Sequence, residues 1–281
     1  MNDSKGLMSP SDLERSEDRK GSPDRFGYSW DHFHELTREQ EQQFQLWTSH
    51  LSPQRDWKGK VFLDGGCGAG RNSYWAMSYG AASCVAIDLD ERSLAAARSN
   101  LAKFPSAEVS KCSIYDIPYE DRFDIVFSIG VIHHLSDPAR AVRKLTEAAK
   151  PGGQVLVWVY GYENLEFYAN VLGPLRKLLF SWLPLGLVRF LAYVPAGLLW
   201  ALLRTGFAPL AYLKLLRTFS FRHIHHICFD QMLPRIAFHW RKDEAIALLE
   251  QAGLEDIKAD WVNEVSWSVI GTKPASAAAA A

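Results

Sequence analysis

Residues 61–71 read VFLDGGCGAGR, and no other stretch limits the fold as much. An apolar run from Val61 to Leu63 ends in Asp64. Gly65, Gly66, Gly68 and Gly70 follow, and Arg71 opens a segment of helical character. Strand, glycine-dense loop and helix are the opening of a nucleotide-binding βαβ unit. Glycine allows the tight turn and a close approach of backbone to ligand, and the first helical turn presents N–H groups that no helical carbonyl can satisfy. The glycines are spaced G-x-G-x-G directly after an acid, whereas dinucleotide fingerprints run G-x-G-x-x-G. That spacing disfavours a nicotinamide-dependent oxidoreductase.

Downstream, strand-like and helix-like segments alternate. Ser83–Asp88 reads as a buried strand ending in an acid about twenty residues past the loop, where a carboxylate can accept ribose hydroxyls; capping the next helix is the plainer role open to it. A helix over 91–103 leads to a strand at 107–112 and the turn Ser113-Ile114-Tyr115-Asp116-Ile117-Pro118. A fourth strand, 122–128, runs into Ile129-Gly130-Val131-Ile132-His133-His134-Leu135. A helix from Asp137 to Lys150 and a fifth strand, 154–160, complete the series. Such alternation predicts a parallel sheet with right-handed crossovers. A helix at 242–252, stopped by Gly253, and two strands at 257–262 and 265–272 close the pattern.

In this register the chain resembles the class I S-adenosylmethionine (SAM)-dependent methyltransferases, whose first motif is an acid followed by G-x-G-x-G. Phe-Asp-x-Val followed by His-His-Leu, at 123–126 and 133–135, matches the same family. The resemblance covers about 60–273, apart from one long interruption, and is strongest to the bacterial group that includes quinone-biosynthesis enzymes. It implies a doubly wound α/β fold, a seven-stranded, mainly parallel, Rossmann-like sheet with its last strand antiparallel. It also implies SAM as cofactor, S-adenosylhomocysteine as product, and cofactor contacts from Asp64, Gly65, Gly66, Gly68, Gly70, Asp88, Leu89, Asp116, Ile117 and Ile129. Asp116 holds the place of an acid that meets the adenine amino group.

Ahead of the core, residues 1–24 are polar and read as a disordered tail without a signal peptide. Residues 25–58 read as a helical segment, with Thr37 and Gln40 spaced as a capping box. Its Tyr28 and Trp30 either pack on the domain or roof the cofactor. The run 274–281 reads as a second tail. Four cysteines without CxxC pairing fit reduced, buried thiols and a cytoplasmic protein. A net charge of −1 gives no bulk attraction to nucleic acid, so none is expected as a partner.

The departure from compact members of the family lies at 161–240, between 59–160 and 241–273, the two parts of the core. From Phe167 to Phe229 there is no Asp or Glu, while Arg176, Lys177, Arg189, Arg204, Lys214, Arg217 and Arg222 punctuate a leucine-rich background. Prolines at 174, 184, 195 and 209 are expected to divide it into short helices. Its longest uncharged run, Phe190–Leu203, has fourteen residues, short of the roughly twenty that span a bilayer. A helical cap over the sheet is expected. Peripheral contact with anionic lipid through 170–220, at the inner face of a membrane, is compatible with it.

Methyl transfer needs a base only where the acceptor must lose a proton, a task suited to histidine. His133 and His134, at the fourth-strand crevice, are the first candidates, and His225 and His226 the second; packing at the turn is an equal reading for the first pair. The spacing of the cap histidines fits no standard metal motif. The sequence therefore predicts a methyltransferase acting on a small, hydrophobic or lipid-linked acceptor at oxygen or carbon. A non-catalytic SAM-binding or membrane-docking module is the alternative.

Overall fold

The computed structural model describes residues 22–275. The tails expected at 1–24 and 274–281 lie outside that range apart from their inner ends, and Ser22 is already buried. Seven strands form one sheet in the order β3-β2-β1-β4-β5-β7-β6. They are β1 (Val61–Gly65), β2 (Ser83–Asp88), β3 (Ala107–Lys111), β4 (Phe123–Ile129), β5 (Ala149–Tyr160), β6 (Glu255–Val262) and β7 (Ser266–Thr272). β1 to β5 pair in parallel, and β7 enters antiparallel between β5 and β6. The expected topology is the one observed.

The inner strands are apolar on both faces because helices cover both. Leu63, Val85, Ile87 and Val126 face one layer, and Phe62, Cys84, Ile125 and Phe127 face the other. Two N-terminal helices, α1 (Pro23–His32) and α2 (Arg38–Trp47), precede the sheet. The helices α3 (Arg71–Ser78), α4 (Glu91–Leu101), α5 (Pro138–Ala148) and, beyond the insertion, α11 (Lys242–Glu250) complete the layers. Local signals hold where expected. Gln40 accepts the Thr37 N–H at 2.9 Å ahead of α2, Asp90 and Asp137 cap α4 and α5, and Gly253 takes φ +79° after α11. Asn263 and Glu264, both at positive φ, turn β6 into β7, the backbone a two-residue hairpin requires.

The insertion folds as a helical cap: α6 (Gly173–Phe180), α7 (Leu185–Leu191), α8 (Tyr193–Arg204), α9 (Ala211–Leu216) and α10 (Phe221–Met232). One expectation fails here. Pro195 does not separate two helices, because it sits in the first turn of α8, where a missing N–H removes little. Ala192 N bonds to Val188 O and Ala196 N to Ala192 O, at 2.9 and 3.1 Å, so the helical path runs on from α7 to α8. The resulting stretch, Leu185–Arg204, has 20 residues and mean hydropathy 1.7, so by length and composition it reaches what a membrane crossing requires, against the sequence expectation. Its stripe Val188, Ala192, Ala196 and Leu203 is packed into the cap core. Phe190, Val194 and Leu198, on another side, stand in the open.

Candidate cofactor and acceptor site

The glycine loop meets the rest of the molecule at the carboxyl ends of β1, β2 and β4. Gly66, Gly68 and Gly70 all have positive φ. A Cβ on Gly66 would stand 2.5 Å from Val131, and one on Gly68 2.8 Å from the Trp30 indole, so two of these positions have no room for a side chain. Asp88, at the tip of β2, accepts Gly68 N at 2.9 Å through Oδ2 and Leu89 N at 2.8 Å through Oδ1. Burial pushes its carboxyl above the usual range, against these backbone bonds. Oδ1 also accepts Asp90 N at 3.1 Å, which leaves Oδ2 as the oxygen with lone-pair capacity for a further donor such as a ribose hydroxyl.

A cavity of about 970 Å³ extends from this loop into the cap. Of the residues predicted for the cofactor, Trp30, Gly66, Gly68, Asp88, Leu89 and Ile129 line it. Others do not. Gly65 and Gly70 shape the loop from behind: a Cβ on Gly65 would press Leu145 at 2.9 Å, and one on Gly70 would meet Ala97 at 3.1 Å. Tyr28 turns away to pack on His32 and Phe229. Asp64 lies fully buried under the loop, where Oδ2 accepts the Ser73 hydroxyl at 2.7 Å and Oδ1 has no partner. Burial lifts its pKa to about 7. Asp116 stands half-exposed on the surface, 3.5 Å from Arg140, because the single 3₁₀ turn at 114–116 carries it outward. Ile117 is buried in the core beside it. Cys112, Ser113 and Ile114 line the cavity in the place predicted for those two.

Arg71, the first residue of α3, was not singled out from the sequence. Its guanidinium lies 4.4 Å over the Trp30 ring, lines the cavity and leaves Nη1 buried without a partner. Burial lowers its pKa to about 10, so it stays charged at neutral pH. Beside it, Asp230 accepts the Ser29 hydroxyl at 2.5 Å and lies 3.0 Å from His226 Nε2, at ion-pair distance. Burial pushes the Asp230 carboxyl up, but His226, Ser29 and Arg71 together hold it below its usual value.

The histidine candidates divide. His134 and His226 line the cavity. His133 does not: it is sealed behind Tyr160, with ring centroids 3.8 Å apart and both ring nitrogens unpartnered, and burial drives its pKa well below the ordinary value. His225 faces the cap instead, with Nε2 2.9 Å from the Arg189 carbonyl and its ring stacked on Tyr193. Among the described residues no histidine, cysteine and carboxylate cluster is arranged to hold a metal ion. At the far wall, Gln231 donates to the Tyr160 hydroxyl at 2.9 Å and accepts from the Tyr168 hydroxyl at 2.8 Å. These residues had no motif to announce them; only the fold brings β5, the cap and the 231–240 segment together.

The geometry suits SAM part by part. An acid at the tip of β2 can take ribose hydroxyls, Arg71 has an unpartnered donor for a carboxylate, and Ile114 and Leu89 offer apolar contact to a base. Residues 63–157 match the methyltransferase domain family. Residues 63–157 are thus a methyltransferase domain of the SAM-dependent kind. Curated relatives of this domain act on unlike acceptors. The chloroplastic tocopherol O-methyltransferase of Arabidopsis thaliana is 35% identical over 124 residues, 42% of this chain and 35% of that protein. The tRNA U34 carboxymethyltransferase of Pseudomonas paraeruginosa is 33% identical over 113 residues, 39% of this chain and 35% of that one. The chain thus spans about a third of the length of these relatives. Among solved structures, the methyltransferase bound to the Trm112 activator of Haloferax volcanii covers 90% of this chain and 97% of its own, with TM-score 0.54 and 13% identity. That likeness concerns the fold, and the methyltransferase domain is common to all three.

Proposed function

We propose that the protein transfers a methyl group from SAM to oxygen or carbon of a small hydrophobic or lipid-linked acceptor. The observation that carries this reading is the continuity of one cavity from the glycine loop and Asp88 to the leucine-rich underside of the cap. When bound, SAM supplies an activated methyl on a sulfonium. The protein's tasks are then alignment and the exclusion of water. Asp88 and Arg71 would anchor the cofactor, Trp30 would close over the loop, and the cap would hold the acceptor in an apolar surround.

The cap's outer surface supports a membrane-side setting. Among the described residues, the exposed large apolar side chains fall between Phe167 and Phe207, with Trp182 the most open at 87% exposure, and only Phe238 lies elsewhere. Leu172, Leu175, Leu179 and Val194 belong both to this surface and to the cavity wall, so the cavity opens onto the apolar face. Such a face carrying cations and no acids suits the surface of an anionic bilayer. The packed stripe of α7 and α8 favours lying along the surface over crossing it.

Incubation of the protein with methyl-tritiated SAM and either a total lipid extract or bulk tRNA tests the reading. Label in the organic phase is expected. Label in tRNA would replace the hydrophobic acceptor with a nucleic acid, and SAM binding without transfer to either fraction would favour a non-catalytic module.

A further inference from the structure

The wall of the cavity formed by β5, α6 and the 231–240 segment is polar, and almost every polar atom there is satisfied from within. Gln231 bridges the Tyr160 and Tyr168 hydroxyls. Arg176 Nη1 donates to the Gln231 carbonyl at 2.9 Å, and His134 Nδ1 donates to the Ile236 carbonyl at 2.7 Å. In this wall two buried side-chain atoms are left over: Arg176 Nε and His239 Nε2. They belong to one neighbourhood. The His239 ring lies 5.5 Å from Tyr160 and 5.9 Å from Tyr168, and Arg176 is tied to the residue that joins those two tyrosines.

The two atoms are opposite in kind. Arg176 Nε carries a hydrogen and can only donate. His239 is hydrogen-bonded to the Ala237 backbone carbonyl, which fixes the proton on Nδ1, since Nε2 has no partner. Nε2 therefore presents a lone pair. Burial, and then the charge of Arg176, lower the His239 pKa to about 4, so the ring is neutral at physiological pH. One buried donor beside one buried acceptor complements a hydroxyl, which accepts at oxygen and donates its hydrogen. A carboxylate would face the lone pair with a charge, and an ether would leave it unpaired, and a buried polar atom without a partner is costly.

We propose that Arg176 and His239 form the subsite for the acceptor's hydroxyl, with Arg176 Nε donating to the oxygen and His239 Nε2 receiving its hydrogen. The assignment rests on the methyltransferase reading above and narrows it to O-methylation. On transfer, the hydroxyl oxygen gains the bond to the methyl carbon, and the carbon–sulfur bond breaks with its electron pair kept by sulfur. The O–H proton passes to His239 Nε2, while the Arg176 charge steadies the oxygen as the proton leaves. The subsite lies where such a group belongs, beside the carboxyl ends of β4 and β5, because Phe238 N bonds to His133 O and Trp240 N to Tyr160 O.

Calorimetry of the full chain saturated with S-adenosylhomocysteine tests the subsite with three probes: 4-hexylphenol, 4-hexylanisole and 4-hexylbenzoic acid. The phenol is expected to bind at least tenfold more tightly than either of the others, since a site built for a hydroxyl discriminates against analogues that lack it. Arg176→Gln and His239→Phe should each bring the three within about threefold, with S-adenosylhomocysteine affinity unchanged. Equal binding of phenol and anisole, tighter binding of the benzoate, or no saturable binding of any probe overturns the proposal. So does a preference that survives His239→Phe and falls with His134→Asn, which would move the acceptor atom to His134. Failure of the methyltransferase reading shows separately, as absence of S-adenosylhomocysteine binding, and the probe preference can then still be read in the protein alone.

Discussion

Asp88 and Arg71 divide the work expected of a SAM site between two charges, and the division can be read by binding. Asp88 positions the loop through Gly68 N and faces the cavity, so Asp88→Ala should lower SAM affinity at least a hundredfold by calorimetry; unchanged binding would remove the ribose assignment. Arg71 faces the cavity with a free Nη1. Arg71→Ala should therefore weaken SAM more than tenfold and leave 5′-methylthioadenosine, which lacks the carboxylate, within twofold. Equal losses for the two ligands would assign Arg71 to loop structure. Asp64 makes a different prediction, because it is buried away from the cavity and its pKa is raised from 3.8 to about 7. Between those values the folded state binds the proton that the unfolded state has lost, so this group's contribution to stability falls as pH rises through the window. Asp64→Asn abolishes that titration. Stability of the variant relative to the parent, from urea melts, should rise between pH 5 and pH 8 by up to roughly 3 kcal/mol, the part of the linkage value of this shift that falls in that range. A constant difference would show that Asp64 ionises normally.

At the scale of elements, α1 is the piece that closes the site, and Arg25 holds it there. Its guanidinium donates to Leu233 O at 2.9 Å, Ser181 O at 3.2 Å and Phe180 O at 3.0 Å, the carbonyls at or just past the ends of α10 and α6. A cation at two helix C-termini satisfies orphan carbonyls and complements both dipoles. Arg25→Ala should cost about 3 kcal/mol, given that hydrogen bonds to charged groups are worth roughly 1.5–3 kcal/mol each and are not additive. Hydrogen exchange in α1 and at 180–183 should accelerate while β1 and β4 stay protected; uniform acceleration would show that α1 is no separate lid. Arg25 was invisible in the sequence for a physical reason. Its partners lie more than 150 positions away, and backbone carbonyls carry no residue signature. The inner strands β1, β2 and β4, by contrast, were legible because each runs, apolar on both faces, into a glycine or an acid. The edge strands β3 and β6 carry polar residues and were placed by the turns that bound them. Trp30 and Tyr28 show the limit of periodicity: both sit on α1, yet one reaches the loop and the other faces the cap, and only the crossing of α1 over the core decides which.

For the whole molecule, the cap composition was legible and its geometry was not. Absence of acids from Phe167 to Phe229 is a fact of the sequence. The failure of Pro195 to break the helix depends on where the first turn of α8 begins, which composition does not specify. What the folded cap adds is direction: its buried stripe faces inward, its exposed apolar residues face out, and the cavity mouth lies among the latter. A surface of that kind costs free energy in water, roughly 25 cal/mol for each Å² of apolar area left uncovered. Covering it with a bilayer would also let an apolar acceptor pass into the cavity without crossing water. Trp182, Phe190 and Leu198 take no part in the cavity wall, so replacing all three with serine tests the surface apart from the site. In co-sedimentation with vesicles containing a third anionic lipid, the parent chain should pellet and the triple variant should remain in solution, with SAM affinity equal in the two. Raising salt should weaken binding of the parent, because Lys177, Arg189 and Arg204 act through a screened attraction. A parent chain that stays in solution with these vesicles would sink the membrane assignment, and the exposed face would then await a protein partner.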